Sequence, residues 1–157
     1  MIYRFGAPEA VYRAVEDMAW WVTLDLGLRE AGDPLPIPIA FWKRERIADV
    51  VRRQGGQGKG TIGLYWPDED RITICDDLTP REAATVTAHE LRHAWQYRHW
   101  NAVSIAETSA IERDARAYER QAVGRFYQAE HREKPATIWS RVCDWMVAAP
   151  QIVNLIP

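Results

Sequence analysis

The sequence predicts an α+β fold: a small antiparallel sheet or hairpin packed on one central helix, with further helices around it. Three observations carry that expectation. Two β-rich runs, TIGLYW and RITIC, are joined by the turn-forming PDED across residues 61–75. A strong helix start, Thr79-Pro80-Arg81-Glu82, follows at once. The long segments on either side carry apolar residues at helical rather than alternating spacing. With 157 residues, 47% of them hydrophobic, the chain has apolar material for one core and is expected to form one domain over residues 1–157.

Taken in order, Pro8 to Leu24 places Val11, Val15, Met18 and Trp21 or Val22 on one face and reads as a first helix. Prolines 34, 36 and 38 force an extended path, so Ile37 to Trp42 is expected as an edge strand or a strapped loop. RQGGQGKGT has the look of a phosphate loop but carries Arg53 and Gly60 where that motif needs Gly and Ser or Thr; a hairpin or connector is expected. The capped helix runs from Thr79, and Ser104-Ile105-Ala106-Glu107 is a second capping box opening a helix to about Tyr127. KPATIWSRVCDWMVAAP predicts a last helix between prolines.

Composition narrows the function. A net charge of −2, with arginines dispersed among acids, lacks the basic footprint of a nucleic-acid binder. No apolar run is long enough to span a membrane and no leader is visible, so a cytoplasmic protein is expected. Cys75 and Cys143 make neither a disulfide framework nor a thiolate metal site and read as buried thiols. The eight tryptophans are expected to build the core and clefts.

The chemistry is concentrated in TPREAATVTAHELRHAWQ. On a helix His89 and His93 lie one turn apart and can reach one ion, while Glu90 lies about 100° from His89, beside the metal rather than among its ligands. Zinc takes imidazole and carboxylate donors and acidifies water; Glu90 is placed to receive the proton. Ala84, Leu91 and Trp95 form the core-facing back of the same helix. For a third ligand, Glu112 shares a stripe with Ile105, Thr108, Ala115, Ala122 and Phe126, where a buried carboxylate needs a cation. Asp114, about 200° away on that helix, and His99, at the spacing of a third histidine, are the alternatives. His99 lacks the glycine at position 96 that would turn it back to the metal.

HELRH, followed 19 positions after its second histidine by Glu112-Arg113-Asp114-Ala115, resembles the gluzincin zinc metallopeptidases of the small single-domain kind, across about Thr61 to Gln121. The resemblance implies a zincin-like fold, one Zn2+ per chain held by His89, His93 and Glu112, and Glu90 as general base. It also implies that the strand before the motif helix, Arg71 to Cys75, pairs with an extended peptide or protein substrate. Many members carry Asp or Asn directly after that alanine, where this chain has Arg116, which removes a usual support for a ligand histidine.

Two functions are therefore in view. One is a peptidase that hydrolyses peptide bonds by metal-activated water with Glu90 as base. The other is a non-catalytic peptide-binding or protein-binding module on the same scaffold. Tyr97, Tyr118 and His131 are all candidates for stabilising the oxyanion, and the sequence does not choose among them or fix the oligomeric state.

Overall fold

The computed structural model describes residues 2–3, 6–56, 58, 60–100 and 105–132, the last of these without the side chains of 105–108 and 130–132. The chain forms two compact units, Met1–Phe126 and Tyr127–Pro157, and the sheet and cleft belong to the first. The elements are β1 (Ile2–Tyr3), α1 (Glu9–Asp25), β2 (Ile39–Trp42), α2 (Arg44–Arg53), β3 (Gly63–Trp66), β4 (Arg71–Cys75), α3 (Pro80–His99) and α4 (Ile105–Arg132). The capping box at Ser104, the expected C-terminal helix and Cys143 lie outside the described residues.

The expected hairpin is present. β3 and β4 pair antiparallel from Gly63↔Ile74 to Trp66↔Arg71. A 3-10 turn at Pro67–Glu69 joins them, and Asp70 sits at φ +44°, where its carboxylate accepts from the Tyr65 hydroxyl at 2.8 Å. Aspartate tolerates that left-handed geometry better than most residues. The sheet is nevertheless larger than a hairpin. Its order is β1-β2-β4-β3, with β1, β2 and β4 parallel.

Two expectations are corrected here. Ile39 to Trp42 is an inner strand, because all three prolines precede it and cost the ladder no donor; Pro38 contributes only its carbonyl, accepting from Ile72 N–H at 2.9 Å. β4 is paired on both sides, so it has no edge to offer a substrate; the open edge beside the motif helix is β3. Since Ile72 and Ile74 direct their amides to β2, the groups of Gly63 and Tyr65 opposite them face away from the sheet.

The core is aliphatic. Ile39, Phe41, Ile72 and Ile74 on one face of the sheet are buried, with Val15, Met18 and Val22 of α1 and Ala84, Ala88 and Leu91 of α3. α1 makes its most extensive contact with α3, where the alanines let the helices approach closely. α3 starts on the full capping box, with Thr79 and Glu82 each bonding the other's backbone. α4 turns Ile111, Ala115, Ala122 and Phe126 inward, and Phe126 meets Trp21 edge to face at 6.2 Å.

The tryptophans do not build the core. None of the described ones is buried. Five instead carry a guanidinium over the ring: Arg29 on Trp20, Arg125 on Trp21, Arg46 on Trp42, Arg92 on Trp95, and Arg71 between Trp42 and Trp66. Such pairs close the rim of a small core with surfaces that tolerate water on one side. α2 was not evident in the sequence, since its ten residues hold six charges and bury only Ile47. Cys75 is buried and free, and burial pushes its thiol up to about 11, which leaves it inert. Among the described residues no helix is long and apolar enough to cross a membrane.

One close approach fixes the position of β3. A Cβ at Gly63 would stand 2.3 Å from Val86 Cγ1 and 3.0 Å from Glu90 Oε1. Gly63→Ala is therefore expected to destabilise the fold by about 1–3 kcal/mol through overpacking. Adding Val86→Ala should recover part of that loss, so that the double variant is less destabilised than the sum of the singles. Urea unfolding of the four proteins measures it, and simple additivity would contradict the close approach.

Candidate metal centre

α3 sends His89 and His93, one turn apart, toward α4. Their Nε2 atoms lie 3.0 Å from one another with the rings edge to face. From α4, Glu112 places Oε1 3.3 Å from His93 Nε2 and Oε2 3.6 Å from His89 Nε2. All three residues can offer ligand atoms within 4.8 Å of one another. Glu112 sits at the margin of the apolar stripe rather than within it, with 43% of its side chain exposed.

The orientation of both rings follows from their other nitrogens. His89 Nδ1 lies 3.0 Å from Glu119 Oε2, and a carboxylate only accepts, so Nδ1 carries the hydrogen. His93 Nδ1 lies 2.8 Å from Gln96 Oε1. The Gln96 amide cannot be turned around, because its Nε2 donates to Ile111 O at 3.1 Å and Asp114 Oδ2 at 2.7 Å. Both rings therefore turn Nε2 to the same point, beside a carboxylate, with Nε2 as the nitrogen free to bind a metal once its proton is displaced.

That donor set fits a cation. Atoms bound at about 2.0–2.1 Å to a single tetrahedral ion lie about 3.3 Å apart. The three separations found, 3.0, 3.3 and 3.6 Å, bracket that value. Three protein donors, two imidazoles and one carboxylate, would fill three positions of a tetrahedral ion. The electrostatics agree. Burial works against the His89 imidazolium, but Glu112 and Glu119 outweigh it and push its pKa up to about 10. His93 is raised in the same way, with burial again opposed chiefly by Glu112. The two imidazoles hold the Glu112 carboxyl well below the usual range. The centre thus draws positive charge.

Glu90 leaves this group on the β3 side. It is 7% exposed, and burial raises its carboxyl against the opposing pull of His93, His89 and the Tyr65 backbone amide, which donates to it. A cleft of about 610 Å³ opens over these side chains, lined by β3, the 60–62 connector, α3 and α4. Tyr97 lines it, 47% exposed, and so does Arg116.

The other candidates lie elsewhere. Asp114 is occupied by Arg92 at 2.7 Å as well as Gln96. His99 is exposed, stacked on Trp95, with Nδ1 2.8 Å from Trp95 O; α3 stays helical up to it and ends there, with no turn back toward the ligands, as the missing glycine implied. Tyr118 donates to Asp25 at 2.8 Å and is not part of the cleft. The His131 side chain lies outside the described residues.

Gln96 and Glu119 were missed. The loss of support expected from Arg116 is made good by Glu119, two turns beyond Glu112 on the same face of α4. Gln96 lies one turn beyond His93. Their helical spacing from the ligands was the available signal.

Residues 56–123 match the family model described as "Putative metallopeptidase family (DUF6782)". No curated protein matches the chain. The matched stretch holds His89, Glu90, His93, Glu112 and Glu119, and the match supports reading the chain as a metallopeptidase built on the segment that brings these side chains together.

Proposed function

We propose that the chain is a zinc-dependent peptidase of the gluzincin kind, with His89, His93 and Glu112 as metal ligands and Glu90 as general base. The observation that carries this reading is the pair of Nε2 atoms aimed at one point beside Glu112, each ring fixed by its own Nδ1 bond. A zinc ion held there supplies a Lewis acid that polarises a scissile carbonyl and acidifies water. Glu90 Oε takes the proton from the attacking water and delivers it to the departing amine nitrogen. Its burial against β3 excludes solvent from that transfer, and its raised pKa favours a carboxyl that both accepts and returns a proton. With the Tyr65 amide given to Glu90, the outward-facing Tyr65 carbonyl and the groups of Gly63 are what β3 has for pairing with an extended peptide, and Tyr97 is a cleft hydroxyl available to the developing oxyanion.

His89→Ala, His93→Ala and Glu112→Ala are each expected to lose bound zinc, while Asp114→Ala and His99→Ala retain it better. Glu119→Ala and Gln96→Ala should weaken zinc binding by about 10- to 100-fold. Elemental analysis with competition by a chelator reads both; a Glu112→Ala protein that keeps its zinc would remove that ligand.

Glu90→Gln is expected to keep fold and zinc but lose about 10²- to 10⁴-fold in peptide hydrolysis. Matched kinetics on a peptide found by screening, with zinc measured in both proteins, provide the test. Equal turnover at equal zinc would take Glu90 out of the mechanism, and a zinc-loaded wild type that cuts nothing would favour the binding module.

Without metal, His89 keeps its proton up to about pH 10, against 6.5 for an unperturbed histidine. The protonated network stabilises the metal-free fold fully below pH 6.5 and loses that contribution as pH rises through 10. Zinc needs the same nitrogen deprotonated, so zinc retention should strengthen across this window, by up to about tenfold per pH unit for each proton displaced. Competition with a chelator corrected for its own protonation measures it, and a flat profile would contradict the coupling.

A further inference from the structure

Arg116 is the only arginine or lysine lining the cleft among the described residues. Its neighbours there include the carboxylates of Glu90, Glu112 and Glu119, and the ion pair it makes among them, with Glu112 one turn back, is a long one. Its nearest described carboxylate oxygen, Glu112 Oε2, lies 3.8 Å from Nε, beyond hydrogen-bond reach, and that carboxylate faces the two imidazoles. The side chain is 67% exposed. A guanidinium offers five donors in a planar fork that matches a carboxylate. Arg113 and Arg120, also exposed on α4, lie about one turn to either side and add to the positive potential along this rim. Apart from the two imidazoles, which face Glu112 and the metal site, Arg116 is the cationic side chain that the described part of the cleft offers to a substrate's charge.

We propose that Arg116 is a specificity-determining residue that receives a carboxylate of the bound peptide, either a C-terminal carboxylate or an acidic side chain. The proposal rests on the peptidase reading for the identity of the substrate. A substrate seated along the open edge of β3 brings a carboxylate to Arg116 at one distance from the scissile bond, so the cleft selects acidic peptides over neutral ones of the same length. Arg116 acts on binding and not on the proton transfer that Glu90 performs.

The test uses the full chain carrying Glu90→Gln, loaded with zinc, as a host that binds without cutting. Three sets of alanine–leucine peptides of one length serve as probes: one with a free C-terminus, one amidated, and one amidated with a single glutamate walked through each position. Affinity is measured by calorimetry at low and high salt. At least one carboxylate-bearing peptide is expected to bind about tenfold more tightly than the neutral amide, with the preference shrinking in salt. Arg116→Ala should abolish that preference and Arg116→Lys keep part of it, with zinc content unchanged in both. Whether the free C-terminus or the glutamate is preferred identifies the source of the carboxylate. No preference in the host, no binding of any probe, or a preference that survives Arg116→Ala would overturn the proposal. An equal loss for acidic and neutral peptides in Arg116→Ala would also overturn it, since that is the mark of a merely structural role. The peptidase reading fails separately: zinc-loaded protein with Glu90 intact that binds these peptides and cleaves none defeats it while leaving the Arg116 preference measured.

Discussion

Two imidazole Nε2 atoms stand 3.0 Å apart, a spacing that only a shared proton or a shared cation makes favourable, and the contacts between α3 and α4 hold them there. His89 is held through Glu119, and His93 through a relay in which Gln96 binds Asp114 and Asp114 binds Arg92. Every link joins one helix to the other or stays within α3. The spacing of the ligand atoms is therefore set by rigid elements rather than by loops, which is the condition for holding a site to within a fraction of an ångström. Arg92 is drawn into the same arrangement by its seat over Trp95, so even the surface aromatic layer bears on the ring of His93.

What was legible in the sequence was whatever a local pattern encodes. The His89–Glu90–His93 spacing, the box at Thr79, the first helix and the hairpin each rest on residues a few positions apart, and each is found where its pattern put it. The inner position of β2 depends on β1 and β4, which lie far from it in sequence; the prolines before it said extended but could not say how many neighbours it has. α2 escaped because an exposed helix on a charged surface needs only one apolar anchor, Ile47. Tryptophan count alone suggested interior packing, whereas the nearby arginines were the clue to a peripheral one. At the candidate site, Glu112 stood out as a carboxylate beside the apolar stripe of its helix. Glu119 and Gln96 did not, because their roles exist only once two helices are side by side.

Glu90 departs from ordinary folding economy. A carboxyl this deeply buried is disfavoured as an anion, and its compensation is limited to one backbone amide and two imidazoles. The arrangement makes sense as a site whose electrostatics are completed by a bound cation, and stability is given up for it in advance. Gly63 belongs to the same trade, since any larger residue there would push on the very carboxylate that the strand holds.

The two borders of the sheet are closed to growth in different ways. β1 is two residues long and offers almost no template for another strand. β3 is longer, but its outward face looks into the cleft, where the Tyr65 amide already serves Glu90 and α3 stands against Gly63. Among the described residues neither border offers a long run of free backbone groups for a second sheet to pair with. A border so poor in free backbone guards the chain against the edge-to-edge association that leads to aggregates.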